Sequence, residues 1–430
     1  MSSLLRLTTA GSVDDGKSTL VGRLLHDTHS ILSDQLAAVH RATRARGGDA
    51  LDLALLTDGL RAEREQGITI DVAYRYFATP ARTFVLADCP GHVQYTRNTV
   101  TGASTAELAV VLVDARRGVV EQTRRHLAVM AFLRVPHVVL AVNKMDLVAF
   151  EEATFRRIEA QFAAAAHALG APEVLAVPLS ALHGDNVVTR SARTPWYGGP
   201  TLLEHLETVP TGCQALNGPM RFPVQLVLRP RTSSHPDYRG LAGRVASGVM
   251  EVGEEVIALP CGVRSTVVGI DTPDGPLQRA AAGESVTVRL ADEIDVGRGE
   301  VLASPEHAPR ALTELAADLC WLAERPLRCG ARVLIKHGTR TVRAMVTALT
   351  GRLDLDTLSH TEPPAALELN EIGGAWIRLA EPLAVDPYAT NRHTGGFLVI
   401  DPATGDTLAA GLVGVDPLPH PATPHPATRN

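Results

Sequence analysis

The first half of the chain alternates continuous apolar runs with longer amphipathic stretches. The apolar runs cover residues 84–88, 108–114, 138–142 and 174–178. Runs of this kind predict strands that are buried on both faces, as in a parallel sheet. A helical stretch, 151–168, lies between the last two of them. The alternation predicts a doubly wound, mostly parallel α/β domain over residues 1–210.

The second half of the chain has a different pattern, with short β-rich runs separated by Gly, Pro and Asp. Four of these runs are residues 222–228, 255–259, 266–270 and 284–290. They predict a small antiparallel β-barrel over residues 217–305. Further runs at 333–336 and 341–346 predict a second β-barrel over residues 311–415. Residues 416–430 repeat Pro-His-Pro-Ala-Thr, which predicts a disordered tail.

Charge and cysteine content narrow the class of protein. The net charge is −6 and no block of basic residues stands out, which argues against an extended nucleic-acid surface. The five cysteines form no Cys-x-x-Cys pair, so we expect reduced thiols and neither a disulfide framework nor a zinc site. No apolar run has the length of a signal peptide or a membrane span. We therefore expect a cytoplasmic protein that binds neither membrane nor nucleic acid.

Lysine usage points to the chemistry. Only three of the 41 lysine and arginine residues are lysines, namely Lys17, Lys144 and Lys336. Arginine carries a wide planar fork, which does not fit where a compact ammonium must lie against a phosphate in a tight loop. The retained lysines at positions 17 and 144 therefore indicate phosphate chemistry, whereas no role for Lys336 follows from its neighbours in the sequence.

Residues 11–18 match the pattern Gly-x-x-x-x-Gly-Lys-Ser, after the apolar start of the chain and before a helical run. The glycines of such a loop let backbone N–H groups surround a β-phosphate. Lys17 would then reach the β- and γ-phosphates, and Ser18 would ligate Mg²⁺. The alternative is a glycine turn that merely caps a helix.

A second motif, Asp-Cys-Pro-Gly-His at residues 88–92, follows the apolar run that ends the preceding strand. Asp88 can hold a Mg²⁺-bound water, and Gly91 can offer its N–H to a γ-phosphate. Upstream, Thr69 lies in the segment 64–70, where a threonine can coordinate Mg²⁺ and order its loop only with a triphosphate bound. The alternatives are an ordinary strand-ending turn and a plain strand threonine.

A third motif, Asn-Lys-Met-Asp at residues 143–146, follows the next predicted strand. The Asp146 carboxylate can accept hydrogen bonds from N1–H and the 2-amino group of guanine, a donor pair that adenine lacks. Asn143 can tie the segment to the phosphate loop, while the stem of Lys144 can cover the base. Residues 180–182, Ser-Ala-Leu, suit a loop whose backbone N–H meets guanine O6. In this order the motifs indicate a guanine nucleotide.

Taken together, these segments resemble the translation-factor class of GTPases. Asp14 and Asp15 depart from the His-Val-Asp-His sequence that elongation factors usually carry in the phosphate loop. Four other segments resemble the GTPase subunit of bacterial sulfate adenylyltransferase (ATP sulfurylase), namely residues 52–60, 71–77, 94–98 and 195–200. The resemblance runs from about residue 7 to residue 415 and implies a P-loop GTPase domain followed by two β-barrels.

The resemblance also implies roles and partners. His92 occupies the place of the histidine that positions the attacking water, with a solvated loop histidine as the alternative. Cys89 replaces a commoner threonine, which we expect to be a neutral packing variation, although it puts a potentially oxidisable thiol near the γ-phosphate. The implied function is GTP hydrolysis, with GTP and Mg²⁺ bound. That hydrolysis would drive a partner catalytic subunit, in a hetero-oligomer, to form adenylylsulfate and pyrophosphate from ATP and sulfate.

Two other functions remain open from the residues alone. An elongation-factor-like carrier would deliver charged tRNA to ribosomes, but its barrels would need a basic face that the acidic balance disfavours. The other possibility is a metabolic GTPase without a catalytic partner. Nothing in the sequence supplies an adenylyl-transfer site, which the resemblance assigns to the partner subunit.

The predicted nucleotide-contacting residues fall in five segments of the chain. They are Gly11, Ser12, Val13, Asp14, Asp15, Gly16, Lys17, Ser18, Thr19, Thr69, Asp88, Cys89, Pro90, Gly91, His92, Asn143, Lys144, Met145, Asp146, Ser180, Ala181 and Leu182. Ser18, Thr69 and Asp88 are the predicted Mg²⁺ ligands, and His92 is the predicted catalytic residue.

Overall fold

The computed structural model describes residues 3–31, 34, 39, 53, 71–230 and 237–414. These residues form two compact units. The first lies within Met1–Thr211 and includes Asp354–Ser359, and the second lies within Gly212–Leu353 and His360–Asn430. Three features discussed from the sequence fall outside the described residues: Thr69, most of the segment 52–60, and the predicted tail 416–430.

The described part of the first unit is built on a six-stranded sheet. Its strands are Ser3–Gly11 (β1), Ala73–Ala78 (β2), Arg82–Asp88 (β3), Leu108–Asp114 (β4), His137–Asn143 (β5) and Val174–Pro178 (β6). The spatial order is β2-β3-β1-β4-β5-β6, and every neighbouring pair is parallel except β2 with β3. The predicted doubly wound, mostly parallel sheet is therefore confirmed.

Helices alternate with these strands along the chain. The described helices of the first unit are Lys17–Asp27 (α1), Thr96–Ser104 (α2), Glu121–Phe132 (α3), Glu152–Ala168 (α4) and Leu202–Thr208 (α5). On α4, Phe155, Ile158 and Phe162 recur at spacings of three and four, and each is 0% exposed, so one face packs into the core. Within the described ranges, no helix combines the length and apolar character needed to cross a membrane.

The inner strands form because their apolar runs can be buried on both faces. All seven residues of β4 are buried. The edge strand β2 does not follow from such a run, because its exposure alternates, with Tyr76 70% exposed and Phe77 4% exposed. Phe77 stacks on Phe84 of β3, with ring centroids 4.5 Å apart. A strand that buries one face thus escapes a search for continuous apolar runs.

The second unit begins with a short helix, Cys213–Asn217 (α6), followed by the first of two barrels. The strands of this region are Arg221–Leu228 (β7), Gly240–Arg244 (β8), Val249–Glu251 (β9), Glu255–Leu259 (β10), Val263–Thr272 (β11), Gly275–Leu277 (β12), Arg279–Ala281 (β13), Ser285–Leu290 (β14) and Val301–Ala303 (β15). The order β10-β15-β7-β8-β14-β11 closes on itself through the pairing of β10 with β11. The closed antiparallel sheet is a small β-barrel.

A second barrel follows in the same unit. Its strands are Arg310–Trp321 (β16), Arg332–His337 (β17), Arg340–Asp354 (β18), Ser359–Thr361 (β19), Ile372–Val385 (β20), Gly396–Ile400 (β21) and Thr407–Val413 (β22). The order β17-β21-β22-β16-β20-β18 closes through the pairing of β17 with β18. Leu319, Ile335 and Ile377 lie in its core at 0% exposure. The predicted fold class, an α/β domain followed by two β-barrels, is confirmed.

A buried ion pair links the two barrels of the second unit. Arg221 on β7 donates to both carboxylate oxygens of Asp386, which follows β20, at 2.9 Å each. The two side chains are 3% and 8% exposed. Asn391 adds an amide-to-hydroxyl hydrogen bond to Ser247 at 2.9 Å. The loss of either partner would leave the other charge buried and unpaired, which would be strongly destabilising.

Candidate functional site

Three strands of the first sheet end at one edge, and each ends in a polar side chain. Asp88 ends β3, Asp114 ends β4 and Asn143 ends β5, and none of the three is more than 2% exposed. The strand register sets Asp88 beside Thr9 of β1 and Asp114 beside Asn143. Ligands of open α/β sheets bind outside the carboxyl ends of the strands. This edge is therefore the candidate site.

The phosphate loop, residues 11–18, connects β1 to α1 at this edge. Gly16 at the N-cap of α1 has a φ of 95°, and Asp14 has a φ of 66°, so the loop turns through left-handed conformations. A Cβ atom on Gly16 would collide with the side-chain amide of Asn143. Glycine at position 16 is thus favoured by the backbone conformation and required by the close approach of the third motif.

The ammonium of Lys17 is buried beneath the phosphate loop. Its Nζ donates to the carbonyl oxygens of Gly11 at 2.8 Å and Ser12 at 2.9 Å. Burial lowers the pKa of Lys17, while the carboxylates of Asp88 and Asp15 oppose that shift. The compact ammonium is therefore fixed where a phosphate held by the loop N–H groups would meet it.

Asp15 explains one departure from the elongation-factor loop. Its carboxylate accepts a hydrogen bond from the backbone N–H of Ser12 at 2.7 Å, and the residue is 3% exposed. Burial raises the pKa of Asp15, although this hydrogen bond and the charge of Lys17 act against the increase. The loop is thus braced internally by its own carboxylate.

The turn after β3 packs directly on the phosphate loop. The Asp88 carboxylate accepts a hydrogen bond from the Thr9 hydroxyl at 2.9 Å. A Cβ atom on Gly91 would overlap Nζ of Lys17 and approach the carbonyl oxygen of Gly11. Gly91 is therefore needed because the backbone of the second motif lies against the first. The structure brings these two predicted motifs together.

The donor set at this point fits a Mg²⁺ ion. Ser18 is half-buried on the first turn of α1, and Asp88 is buried at the end of β3, so both can offer the oxygen ligands that Mg²⁺ prefers. Among the described residues, no group of three or more His, Cys, Asp or Glu side chains could hold a metal alone. Mg²⁺ at phosphate sites does not need such a cage, because water and phosphate oxygens complete its shell.

Cys89 is a core residue within the second motif. Its side chain is 0% exposed, and its Sγ lies 3.2 Å from the hydroxyl oxygen of Thr8. Burial raises the pKa of the thiol to about 12, which suppresses the thiolate that reacts with oxidants. Burial therefore disfavours oxidation of this thiol. Cys89 instead packs against Gly102, where an added Cβ atom would overlap Sγ.

His92 lies immediately after Gly91, at the start of the turn that leads into the 3₁₀ helix Val93–Tyr95. The residue is half-buried. Its ring meets the Tyr95 ring edge-on, with centroids 6.2 Å apart and an interplanar angle of 77°. His92 is thus adjacent to the glycine that contacts the phosphate loop, and its action on a water molecule stays a prediction.

Asn143 joins the third motif to two other loops. Its Nδ2 donates to the carbonyl oxygen of Asp15 at 2.7 Å, and its Oδ1 accepts from the backbone N–H of Ala181 at 2.9 Å. The residue is 2% exposed, so both hydrogen bonds are shielded from water. One side chain therefore fixes the phosphate loop and residues 180–182 relative to each other.

Asp114 and Arg116 belong to the site but were missed by the motif search. Nζ of Lys144 lies 3.1 Å from the Asp114 carboxylate and also donates to the carbonyl oxygen of Asp14. Arg116 binds the same carboxylate with two hydrogen bonds, at 3.1 and 2.7 Å. Burial acts to raise the pKa of Asp114, but hydrogen bonds from Arg116 and Lys144 outweigh it and lower the pKa to about 2. The ionised carboxylate therefore anchors Lys144.

Asp146 faces the loop that contains the Ser-Ala-Leu motif. It lies on the 3₁₀ helix Met145–Val148, and its side chain is 14% exposed. Nε2 of His183 lies 3.9 Å from the Asp146 carboxylate. Met145 and Ser180 are 0% exposed beneath this face, whereas Leu182 is 55% exposed. The carboxylate and the loop are therefore close enough to contact one planar base together.

Gln122 and His126, on one face of α3, are further residues that the motif search missed. Nε2 of Gln122 donates to the carbonyl oxygen of Gly91 at 3.2 Å and lies 3.2 Å from Nε2 of His126. His126 is 3% exposed. Burial, and secondarily the charge of Lys17, lowers the pKa of His126 to about 3. Helix α3 therefore supports the second motif with a neutral imidazole.

Replacing His126 with glutamine should reduce the acid sensitivity of the first unit. The pKa of His126 is about 3 in the folded chain, against an ordinary value of 6.5. Between these values the unfolded chain binds a proton here and the folded chain does not, so stability falls as the pH falls. The slope of the unfolding free energy against pH should decrease by up to ~1.4 kcal/mol per pH unit, which corresponds to one proton fewer taken up on unfolding.

Hydrogen exchange of β4 peptides in urea, between about pH 6 and pH 4, would measure this slope for the first unit. His360→Gln is the matched control, because it makes the same chemical change at an exposed position of the second unit. An unaltered slope in His126→Gln would show that the buried ring titrates normally in the folded protein.

Comparisons with known proteins agree with the arrangement of these motifs. The family described as "Elongation factor Tu GTP binding domain" matches residues 2–211. The family described as "GTP-eEF1A C-terminal domain-like" matches residues 314–414. The first match spans the sheet and the candidate site, and the second spans most of the second barrel.

Curated relatives match nearly the whole chain. A protein of Mycobacterium tuberculosis (strain CDC 1551 / Oshkosh), "Bifunctional enzyme CysN/CysC", is 53% identical over 414 residues, which is 96% of this chain and 67% of that protein. "Sulfate adenylyltransferase subunit 1" of Citrobacter koseri is 51% identical, over 98% of this chain and 88% of that protein. The protein of the same name in Bacteroides fragilis is 50% identical, over 95% and 86%.

Proposed function

This chain belongs to the sulfate adenylyltransferase subunit 1 family, and we propose that it binds and hydrolyses GTP as one subunit of that enzyme. A separate catalytic subunit forms adenylylsulfate and pyrophosphate from ATP and sulfate. The observation that carries the proposal is the convergence on Asn143, whose amide binds the phosphate loop while its carbonyl oxygen binds Ala181. The phosphate and base subsites of one guanine nucleotide are thereby joined.

Guanine recognition falls to the third motif and the loop at 180–182. The Asp146 carboxylate accepts from N1–H and the 2-amino group of the base. Lys144 covers one face of the base with its stem, and its ammonium is held by Asp114 at 3.1 Å. Adenine offers no such donor pair to Asp146, which supports a preference for GTP over ATP.

Triphosphate binding falls to the phosphate loop and the turn after β3. Residues 11–19 surround the phosphates with backbone N–H groups, and Lys17 adds a buried positive charge. Ser18, Thr69 and Asp88 would hold Mg²⁺, directly or through water. When bound, the ion neutralises charge that develops on the phosphate oxygens. Gly91 offers its N–H to the γ-phosphate from its position against the loop.

Hydrolysis requires a water molecule placed in line with the γ-phosphate. We assign that task to His92, because it follows the γ-phosphate-binding glycine and is half-buried. Positioning a nucleophile contributes to the rate by limiting its freedom in the ground state. His92 therefore acts on turnover, whereas Lys17 and Asp146 act on affinity.

Coupling to GTP hydrolysis has a chemical purpose. Adenylylsulfate contains a sulfate–phosphate anhydride, so its formation from ATP and sulfate is strongly uphill. Every predicted nucleotide-contacting residue of this chain serves GTP, and we assign adenylyl transfer to the partner in a hetero-oligomer. We further propose that residues 1–210 form the GTPase domain, residues 217–305 and 311–415 the barrels, and residues 416–430 a tail.

The division of labour can be tested by following pyrophosphate release from ATP and sulfate. The purified chain alone should hydrolyse GTP slowly and form no adenylylsulfate. Addition of the catalytic subunit should raise GTP turnover and yield adenylylsulfate, whereas a non-hydrolysable GTP analogue should not sustain the same net yield. Sulfate-dependent pyrophosphate release by this chain alone would overturn the proposal. GTP turnover that responds only to ribosomes would favour a translation-factor function instead.

A further inference from the structure

Arg23 connects helix α1 to the loop at 180–182. Its Nε donates to the carbonyl oxygen of Ala181 at 3.1 Å, and a terminal nitrogen donates to the carbonyl oxygen of Leu182. The two carbonyls belong to successive residues, so the guanidinium spans them as a fork. A lysine could not reproduce this contact, because its compact ammonium lacks the rigid planar head group that places separate N–H donors opposite two carbonyl oxygens.

The fork is held in place by its surroundings. The Arg23 side chain is 19% exposed, and a terminal nitrogen lies 3.5 Å from the carboxylate of Asp27, one turn along the helix. Gly184 has a φ of 86°, and a Cβ atom there would lie 3.7 Å from the Arg23 side chain. The loop thus packs against the arginine as it leaves the site.

The peptide of Ala181 is held from both sides. Its N–H donates to Asn143 at 2.9 Å, and its carbonyl oxygen accepts from Arg23 at 3.1 Å. The side chain of Leu182 is 55% exposed, so burial of that side chain contributes little to fixing the loop. The hydrogen bonds to Asn143 and Arg23 therefore act on this backbone together with the burial of the Ala181 side chain, which is 1% exposed, and the backbone hydrogen bond from Gly184 to Ser180 at 2.8 Å.

We propose that Arg23 is a positioning residue for guanine, fixing residues 181–182 so that the backbone N–H of Leu182 meets the O6 atom of the base. The proposal rests on the proposed GTP site. Lys17 and Arg23 lie on the same helix, about 9 Å apart along its axis at 1.5 Å per residue. One rigid element therefore sets the distance between the phosphate and base subsites.

The test combines a change in the protein with a change in the base. Arg23→Ala should weaken the binding of GTP and GDP equally, by about tenfold, because both nucleotides carry the same base. The analogue 6-thio-GTP keeps N1–H and the 2-amino group but has a weak acceptor at position 6. The ratio of the affinity for GTP to the affinity for 6-thio-GTP should be smaller in Arg23→Ala than in the unmodified protein. The reason is that the loop no longer places an N–H donor against position 6 of the base. Turnover at saturating GTP should not change.

Arg23→Lys should restore only part of the affinity, because it keeps the charge but not the fork. Arg125→Ala is the matched control. Arg125 has the same side-chain exposure of 19% and an ion pair one turn away, with Glu121 at 2.9 Å, but lies outside the proposed site. Arg125→Ala should leave GTP affinity and the preference over 6-thio-GTP unaltered. Hydrogen exchange of the 180–184 peptides should accelerate only in the Arg23 variants.

The outcomes separate this inference from the proposed function. If the unmodified protein bound ATP as well as GTP, the proposed guanine site itself would fail. If it preferred GTP but Arg23→Ala lost GTP and 6-thio-GTP equally, Arg23 would support only the fold and not the reading of O6. Unchanged GTP affinity in Arg23→Ala would also overturn the inference. Should Arg23→Ala not fold, Arg23→Gln and Arg23→Lys provide the same comparison.

Discussion

Replacing Lys17 with alanine should abolish measurable GTP binding and hydrolysis while leaving the fold intact. The loss of two charge-assisted hydrogen bonds to phosphate costs ~3–6 kcal/mol, which is about 10²–10⁴-fold in affinity. The cost to folding should be small, because the ammonium is buried and desolvation already lowers its pKa. Its loss removes two hydrogen bonds to loop carbonyls but also a buried positive charge.

Equilibrium binding of a fluorescent GTP analogue and single-turnover hydrolysis would measure the effect. Lys17→Arg should fail as well, because its wider head group does not fit between the Gly11 and Ser12 carbonyls. Lys336→Ala is the control, since this lysine is exposed on β17 and belongs to no proposed site. Normal GTP turnover in Lys17→Ala would mean that the phosphate loop holds no phosphate.

Replacing Asp146 with asparagine should change the base preference of nucleotide binding from guanine to xanthine. Asparagine offers one acceptor and one donor where the carboxylate offers two acceptors, so the 2-amino group of guanine loses its partner. Xanthine carries an oxygen at position 2 and can accept from the new amide. GTP affinity should fall by ~2–4 kcal/mol, about 30- to 1000-fold, while xanthosine triphosphate should bind more tightly than before.

Competition binding with GTP, ATP and xanthosine triphosphate would measure this exchange. Asp274→Asn makes the same chemical change in an exposed turn of the second unit and should alter none of the affinities. Equal affinity of the unmodified protein for ATP and GTP, or a loss of GTP in Asp146→Asn without any gain of xanthosine triphosphate, would remove Asp146 from the base site.

Local sequence determined most of the architecture. Strands β3, β4 and β5 are continuous apolar runs because each is buried on both faces, and that requirement can be read without any partner strand. The start of α1 follows from the sequence of the phosphate loop. Glycine at position 16 can adopt a positive φ without steric cost, and Gly16 does so immediately before the helix. Edge strand β2 was not predicted, because it buries only one face and therefore forms no continuous apolar run.

The three motifs were readable for the same reason, since each places its functional groups within a few residues. Lys17 reaches the carbonyls of Gly11 and Ser12 in its own loop. The order of the motifs along the chain then indicated guanine. Their meeting at one edge of the sheet follows from parallel strands, whose carboxyl ends lie on the same side.

Tertiary structure alone decided which residues support those motifs. Arg23 is 158 residues from the carbonyl that it binds, and it belongs to none of the three motifs. Asp114 ends a predicted strand, and only the contacts of Lys144 and Arg116 with its carboxylate connect it to the site. The sequence allowed Cys89 to be a packing residue or an oxidisable thiol, and its burial disfavours oxidation.

The sequence by itself therefore determined the fold class, and it predicted which groups would touch a nucleotide. Propensity, burial periodicity and loop motifs act over a few residues and leave a local signature. The structure decided which other residues support these groups, and they include Arg23, Asp114 and His126. Their effect depends on distances and desolvation set by chain segments far apart in sequence, and no local pattern encodes those.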